Sequence, residues 1–430
     1  MRIHIVSMGE TPASIARQYG ISLSRLLADN GLPPDQPLAV GQALIITLPE
    51  VIYRVQPGDT LYGIAAGYGL PVIRLIQNNP SLAQDQTIQP GQQLTISFRG
   101  EPIREIATLG FAYPYINRAV LRESLPYLSY LAIFSYGFRE DGSLIVPEDE
   151  RLIRESYRFG TVPVLVLTSI GEDGGFSSEK VSRLLGDPAL QETVLSNLLE
   201  VMTRKGYGGL DADFEFIPPE DRVAYQEFLT RVREKLSAAG LLLSVDLAPK
   251  ISADQPGLLY EAHDYPAIGA IAHRVHLMTY EWGYTYGPPM AVAPLNAVRR
   301  VVEYGVSEIP PEKILMGIPN YGYDWALPYR RGITVAENLG NQTAVRLAGE
   351  RGAEIRFDAN AQSPYFYYTR QGQEHVVWFE DVRSIQAKLE LAEGFGLQGV
   401  FWWNVMRPFR QNWALLAARY RIHKEAGAFG

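Results

Sequence analysis

Asp211, Asp213 and Glu215 alternate along residues 208–216, among neighbours that are small, apolar or aromatic. On a β-strand alternate residues share one face, so the three carboxylates point the same way. A glycine-rich approach at Gly208-Gly209 and the pair Pro218-Pro219 bound the strand. Three crowded carboxylates cannot all ionise near neutrality, so at least one is expected to hold a proton. A protonated acid beside an ionised carboxylate can protonate a leaving-group oxygen, the first requirement of glycoside hydrolysis. Glu215 has the longest side chain and sits nearest the strand's C-terminal end, which makes it the expected acid. Asp213 is placed to share that proton or to orient a substrate group, and Asp211 to tune Asp213. Neighbours on one strand lie on the same side of a bound sugar, so neither serves as nucleophile against the other's leaving group. The nucleophile must come from elsewhere, and the substrate is one source.

A row of this kind needs a rigid frame. From about residue 107 apolar strand-like runs alternate with helical patterns, the signature of a parallel α/β fold. The expected strands are 107–113, 130–135, 161–167, 209–216, 241–247, 274–280, 314–318 and 399–403. Eight strands match a (β/α)8 TIM barrel, whose catalytic residues stand at the strands' C-terminal ends. The acidic row falls on the fourth strand, with Glu215 uppermost. Residues 327–380 carry Ile355-Arg356-Phe357, Tyr365-Phe366-Tyr367-Tyr368 and His375-Val376-Val377-Trp378. They predict a small α+β insertion between strands seven and eight, built on an antiparallel meander. The barrel domain is placed at 103–424.

The first hundred residues repeat. Val6-Ser7-Met8-Gly9-Glu10-Thr11 matches Val55-Gln56-Pro57-Gly58-Asp59-Thr60, Ile15-Ala16 matches Ile64-Ala65, and Asn30 matches Asn79. The offset is about 49 residues, as two copies of one module give. Each copy, 2–49 and 51–98, reads as strand, turn, two short helices and strand, with Thr11 and Thr60 at helix N-caps. The connector Arg99-Gly100-Glu101-Pro102 is short, which places the modules close to the barrel.

The net charge of -8, with no basic block, argues against a nucleic-acid partner. The absence of cysteine excludes disulfides, thiol catalysis and a Cys-based zinc site. His273 and His276 form an H-x-x-H without the helical setting of a zinc protease, and read as satisfied or surface histidines. No phosphate or dinucleotide fingerprint occurs, and neither a cofactor nor a metal is expected. No apolar run approaches the ~18 residues of a membrane span. The N-terminus lacks a cleavable-signal pattern, so any export is expected to proceed without one. A monomer is expected.

Each N-terminal copy resembles a LysM module, a βααβ domain that binds N-acetylglucosamine-containing glycans. The resemblance rests on the Gly-Glu/Asp-Thr turn, the Ile-Ala of the first helix, the Asn closing the second, and Gly41-Gln42 or Gly91-Gln92 before the last strand. It implies glycan contacts at Gly9, Glu10, Thr11, Asn30 and Gly31, and at Gly58, Asp59, Thr60, Asn79 and Pro80. The first copy departs from the commoner Pro-Gly-Asp-Thr turn, reading Met8-Gly9-Glu10-Thr11.

Asp211-x-Asp213-x-Glu215 after Gly209 resembles glycoside hydrolase family 18, the chitinase-like barrels. Ser169-Ile170-Gly171, Met278-Thr279-Tyr280, the run from Gly317 to Gly322, and Gly399-Val400-Phe401-Trp402-Trp403 fall on the expected strands. With two LysM copies ahead of it, the barrel resembles the spore cortex-fragment N-acetylglucosaminidases of endospore-forming bacteria. This implies a peptidoglycan substrate and an extracytoplasmic or spore-associated site of action. It further implies retaining, substrate-assisted hydrolysis: Glu215 protonates the glycosidic oxygen, and the substrate's 2-acetamido oxygen attacks the anomeric carbon. Asp213 orients that acetamido group, Tyr280 hydrogen-bonds its carbonyl, and Trp403 floors the sugar subsite. Met278, Glu281, Asn320 and Tyr321 complete the substrate-binding set. A chitinase and a non-catalytic glycan-binding barrel are the alternatives, the latter opposed by the intact Glu215. Gly208 replaces the first Asp of the longer family pattern, Glu281 stands where many chitinases have Asp, and Glu172 where many have Gly.

Overall fold

The computed structural model describes residues 1–100, 102–170 and 174–424; Glu101 of the connector and Gly171 and Glu172 after strand three lie outside them. Eight strands, Glu105–Ala112, Tyr130–Phe138, Val162–Thr168, Gly209–Asp213, Leu242–Leu247, Arg274–Leu277, Ile314–Pro319 and Gly399–Trp403, form the barrel. Each pairs in parallel with the next, and the eighth pairs with the first, which closes it. The expected TIM barrel is therefore present. Its interior is filled by Leu109, Phe111, Ala132, Phe134, Val166, Leu315 and Phe401, while the alternate residues pack outward under the helices.

Local chemistry fixes how the chain enters the fourth strand. Helix Pro188–Lys205 begins under an Asp187 cap with Pro188 at its first position, and ends on Gly206 at φ 80°. Gly208 is there for space: a Cβ would lie 2.2 Å from Cγ1 of Val162. The aspartate of the longer family pattern has no room at this position. The strand is shorter than the expected 209–216, because its pairing with strand three ends where Asp213 meets Thr168. Glu215 thus stands on the loop beyond the strand, at the barrel's C-terminal mouth. Strand six likewise stops at Leu277, short of the expected residue 280.

The insertion is a five-stranded antiparallel sheet in the order Glu337–Leu339, Gly322–Ala326, Gln373–Trp378, Ser363–Arg370, Arg356–Asp358. It starts at Gly322, ahead of the expected residue 327, and includes the helix Asn341–Arg351.

Both N-terminal modules have the expected βααβ order, each closed by one antiparallel strand pair. Thr11 and Thr60 cap their helices, accepting from the amides of Ser14 at 3.1 Å and Gly63 at 3.0 Å. The modules are welded to the barrel. Arg74 donates to the carbonyls of Ala417 and Tyr420 at the end of helix Arg410–Arg419, at 2.9 and 3.1 Å. Gln411 donates to Asn30 Oδ1 at 2.9 Å and to the Ala43 carbonyl at 2.7 Å. Residues 411–417 of that helix are all buried, which a surface helix cannot achieve. One of its faces is covered by the barrel and another by the modules.

Tethering alone would let a chain that begins at Ile103 fold as well as the whole protein. The covered helix predicts otherwise: truncation uncovers Gln411 and the carbonyls of Ala417 and Tyr420, and the shortened chain should melt well below full length. A melting temperature within about 2 °C of full length would show that the contact contributes little.

Candidate active site

Strands four and five bring inward carboxylates, and strand six an imidazole, into one polar cluster. Asp211 is fully buried and Asp213 is 4% exposed. Asp246 of strand five is 4% exposed and, in the parallel register, lies opposite His276 of strand six, which is fully buried. His276 Nδ1 is 2.9 Å from Asp246 Oδ1 and 3.3 Å from Asp211 Oδ1. Asp211 Oδ1 also accepts from the Ser244 hydroxyl at 2.6 Å. The acidic row is thus the visible edge of a larger polar cluster. Asp246 and His276 were not recognised in the sequence as parts of the site. The signal available was Ser244-x-Asp246, two polar residues alternating in an otherwise apolar strand.

The electrostatics follow from this crowding. Burial pushes the Glu215 carboxyl up to about 7, and the nearby Glu281 adds to the shift. Burial is also the main reason that Asp213 is raised well above the ordinary carboxylate range, with the charges of Asp246, Glu215 and Asp211 contributing. The expectation that the row holds a proton near neutrality agrees with both shifts. Among the described residues Asp213 Oδ1 is buried without a hydrogen-bond partner. A buried lone acceptor is costly, and it is suited to an N–H donor brought in by substrate.

Tyr280 follows strand six, its ring edge-on to Phe401 at 6.0 Å. Burial, then the charges of Asp246, Asp213, Glu215 and Glu281, hold its hydroxyl protonated. Trp403 meets Phe134, Phe111 and Tyr113 edge-on at 5.1, 5.5 and 6.2 Å, and lines the mouth. Trp402 points the other way, fully buried against Trp413. Alternation along the strand therefore turns Trp403 to the barrel's inner cluster and Trp402 to the outer one. Tyr115, 76% exposed and stacked on Tyr113 at 5.3 Å, extends the aromatic rim and was not foreseen.

Met278 belongs to the barrel's inner cluster. Glu281, at φ 66°, accepts from the hydroxyls of Tyr321 and, at 3.1 Å, Tyr323. Asn320 is 3% exposed and donates to the carbonyls of Asn404 at 3.0 Å and Arg407 at 2.9 Å. Its amide therefore braces the loop after strand eight.

In the modules, Gly9 and Gly58 take φ of 81° and 89°, as tight turns require. Glu10 accepts from the Ser7 amide at 2.7 Å, and Asp59 from the Gln56 amide at 2.6 Å, so both carboxylates close their turns. Asn30 and Asn79 are buried clamps: their amides donate to Ile45 O at 2.9 Å and Thr95 O at 2.8 Å respectively. Gly31 lies against the insertion, where a Cβ would be 1.8 Å from Gln342 Nε2. Pro80 opens the short helix Pro80–Ala83.

A closed parallel barrel with an acid raised toward neutrality and a row of buried carboxylates at its C-terminal mouth defines a glycosidase of the TIM-barrel class. The sequence profile of glycosyl hydrolases family 18 matches residues 127–407, and that of the LysM domain matches 4–47 and 53–97. The chain belongs to glycosyl hydrolase family 18 and carries two LysM domains ahead of its barrel. It is 39% identical over 430 residues to the cortical fragment-lytic enzyme of Bacillus anthracis, covering 99% of this chain and 100% of that one. The enzyme of the same name from Bacillus subtilis (strain 168) is 38% identical over 432 residues, covering 99% of each. The crystal structure of the Bacillus cereus spore cortex-lytic enzyme SleL superposes with a TM-score of 0.84 at 39% identity, over 98% of both chains. That of Bacillus megaterium QM B1551 SleL gives 0.83 at 36% identity, over 99% of both.

Proposed function

We propose that this enzyme hydrolyses β-1,4 linkages of N-acetylglucosamine in peptidoglycan, with spore cortex fragments as its substrate, by a retaining, substrate-assisted mechanism. The observation that carries the mechanism is Asp213, buried beside the acid Glu215 with Oδ1 unpaired. An acetamido N–H donating to that oxygen turns the acetamido carbonyl oxygen toward the anomeric carbon. Glu215 protonates the departing oxygen, the acetamido oxygen closes an oxazolinium ring, and the Tyr280 hydroxyl holds the same group. Water activated by the now-ionised Glu215 opens the ring with net retention.

Substrate choice rests on full-length similarity to the cortex-lytic enzymes, whereas the Arabidopsis thaliana class V chitinase is 25% identical over 56% of this chain. LysM and family 18 alike point to an N-acetylglucosamine-containing glycan, and similarity to the cortical fragment-lytic enzymes points to action at the spore. The turns at Gly9 and Gly58 are equally open, but the Gly31 loop of the first module lies against the insertion, which favours the second module as the glycan-retaining one. Among the described residues no helix is long and apolar enough to cross a membrane.

Digestion of cortex fragments, vegetative peptidoglycan and chitin, followed by analysis of the new reducing ends, tests the reaction. The expected ends are N-acetylglucosamine from cortex fragments; muramic ends, or faster release from chitin, would overturn the assignment. The rate should also fall above pH 7, because Glu215 must be protonated and titrates at about 7. The acidic limb reports protonation of the coupled row, which puts the optimum below neutrality. A flat profile between pH 4 and 8 would remove Glu215 from the acid's role.

A further inference from the structure

Among the described residues neither Asp246 nor His276 hydrogen-bonds Glu215, Asp213 or Tyr280, yet both occupy the same layer of the barrel. We propose that they form a positioning pair which, with Asp211, sets the charge beneath Asp213 and hence the pH range over which Glu215 acts. The proposal takes Glu215 as the acid.

The geometry leaves the imidazole one polar outlet. Phe111 stands edge-on to it at 6.1 Å and Phe401 lies tilted against it at 5.3 Å. Nε2 has no partner among the described residues, so Nδ1 carries all of its hydrogen bonding, toward Asp246 and Asp211. The groups facing the pair are Asp211, Asp213 and Glu215 from strand four and its loop, Ser244 from strand five, Tyr280 after strand six, and Tyr225 of the helix Arg222–Ala238. Phe111, Phe401 and Trp403 close the other side without charge. Among the described residues no lysine or arginine is ion-paired to Asp211, Asp213, Glu215 or Asp246, so His276 is the one basic group in contact with the cluster.

A purely structural role would be met as well by apolar side chains, because buried polar pairs seldom repay their desolvation. What the pair supplies is control of charge. An added Asp246 charge makes Asp213 and Glu215 hold their protons more tightly, and the His276 donor relaxes that hold. The two members therefore pull the row in opposite directions, and the proposal depends on that opposition.

The test measures kcat and KM from pH 4 to 9 for the full-length chain, with a labelled soluble cortex fragment as substrate. His276→Ala should move both limbs of the profile to higher pH by about one unit, and each unit is a tenfold fall in rate on the acidic limb. His276→Asn, which restores an N–H near the Nδ1 position without charge, should recover part of that shift. Asp246→Asn should move both limbs the other way by a similar amount, with KM within about twofold of the parent. Limbs that stay in place while the rate falls uniformly with pH would reduce the pair to a structural element and overturn the proposal. Shifts of His276→Ala and Asp246→Asn in the same direction would overturn it as well. If His276→Ala does not fold, the near-isosteric His276→Asn and Asp246→Asn carry the test. Activity retained in Glu215→Gln would strike the acid assignment instead, a result that unmoved limbs cannot imitate.

Discussion

Glu215→Gln should abolish turnover and, above neutral pH, raise the temperature at which the protein unfolds. The first effect follows because an amide keeps the side chain's shape but has no proton to give, and general acid catalysis supplies ~10²–10⁴-fold. The second follows from linkage. Glu215 is raised from 4.5 to about 7 in the folded protein. Between those values the folded state binds more protons than the unfolded chain, so stability falls as pH rises through that window, and the loss is complete above pH 7. Glutamine has no charge to bury and escapes the loss. Thermal melts of both proteins at pH 4.5 and pH 8 should therefore nearly coincide at the lower pH and separate at the higher, with the variant above. A variant that retains more than about a tenth of the parent rate would take the acid's role from Glu215. Melts that separate equally at both pH values would show that the carboxyl is not buried as the structure has it. The acid is thus a site where function is held at the expense of stability.

How much of this was legible in the sequence depended on distance along the chain. The row Asp211, Asp213, Glu215 could be read because its alternation is local, and closure of eight strands could be read from their spacing. Trp403 over Trp402 required the family pattern, since alternation says only that the two face apart. Asp246 and His276 escaped because they lie on different strands, each beside one other polar residue, Ser244 or Arg274, and only the parallel register puts them side by side. The Asn30 and Asn79 motif was visible, yet its positions are buried clamps on neighbouring strands, a fact that spacing cannot carry. The weld between modules and barrel was hidden for the same reason. Arg74 and Gln411 are ordinary polar residues until helix Arg410–Arg419 presents its carbonyls to one and Asn30 meets the other. Gly208 shows the reverse case, a departure from a family pattern that becomes intelligible once Val162 is seen 2.2 Å from where its Cβ would be.

Asp213→Asn should cost nearly as much as loss of the acid, and Tyr280→Phe should cost less. Both residues are expected to act on the acetamido group, where charge develops as its oxygen attacks the anomeric carbon. Asp213 meets that charge with a buried carboxylate, and burial makes such an interaction far stronger than it would be in water. An asparagine fills the same space without the charge, so kcat should fall about 10²–10³-fold while KM changes little. The tyrosine contributes one hydrogen bond from a neutral hydroxyl, and its removal leaves the nucleophile oriented by Asp213. Mutants alone do not identify the nucleophile, because Asp213→Asn also alters the charge felt by Glu215. The substrate does. Cortex fragments whose glucosamine residues lack the N-acetyl group have no oxygen to attack the anomeric carbon, and the unaltered enzyme should leave them intact while still releasing product from acetylated ones. Equal rates on the two would make the substrate-assisted mechanism wrong, and would require a protein carboxylate to take the nucleophile's place.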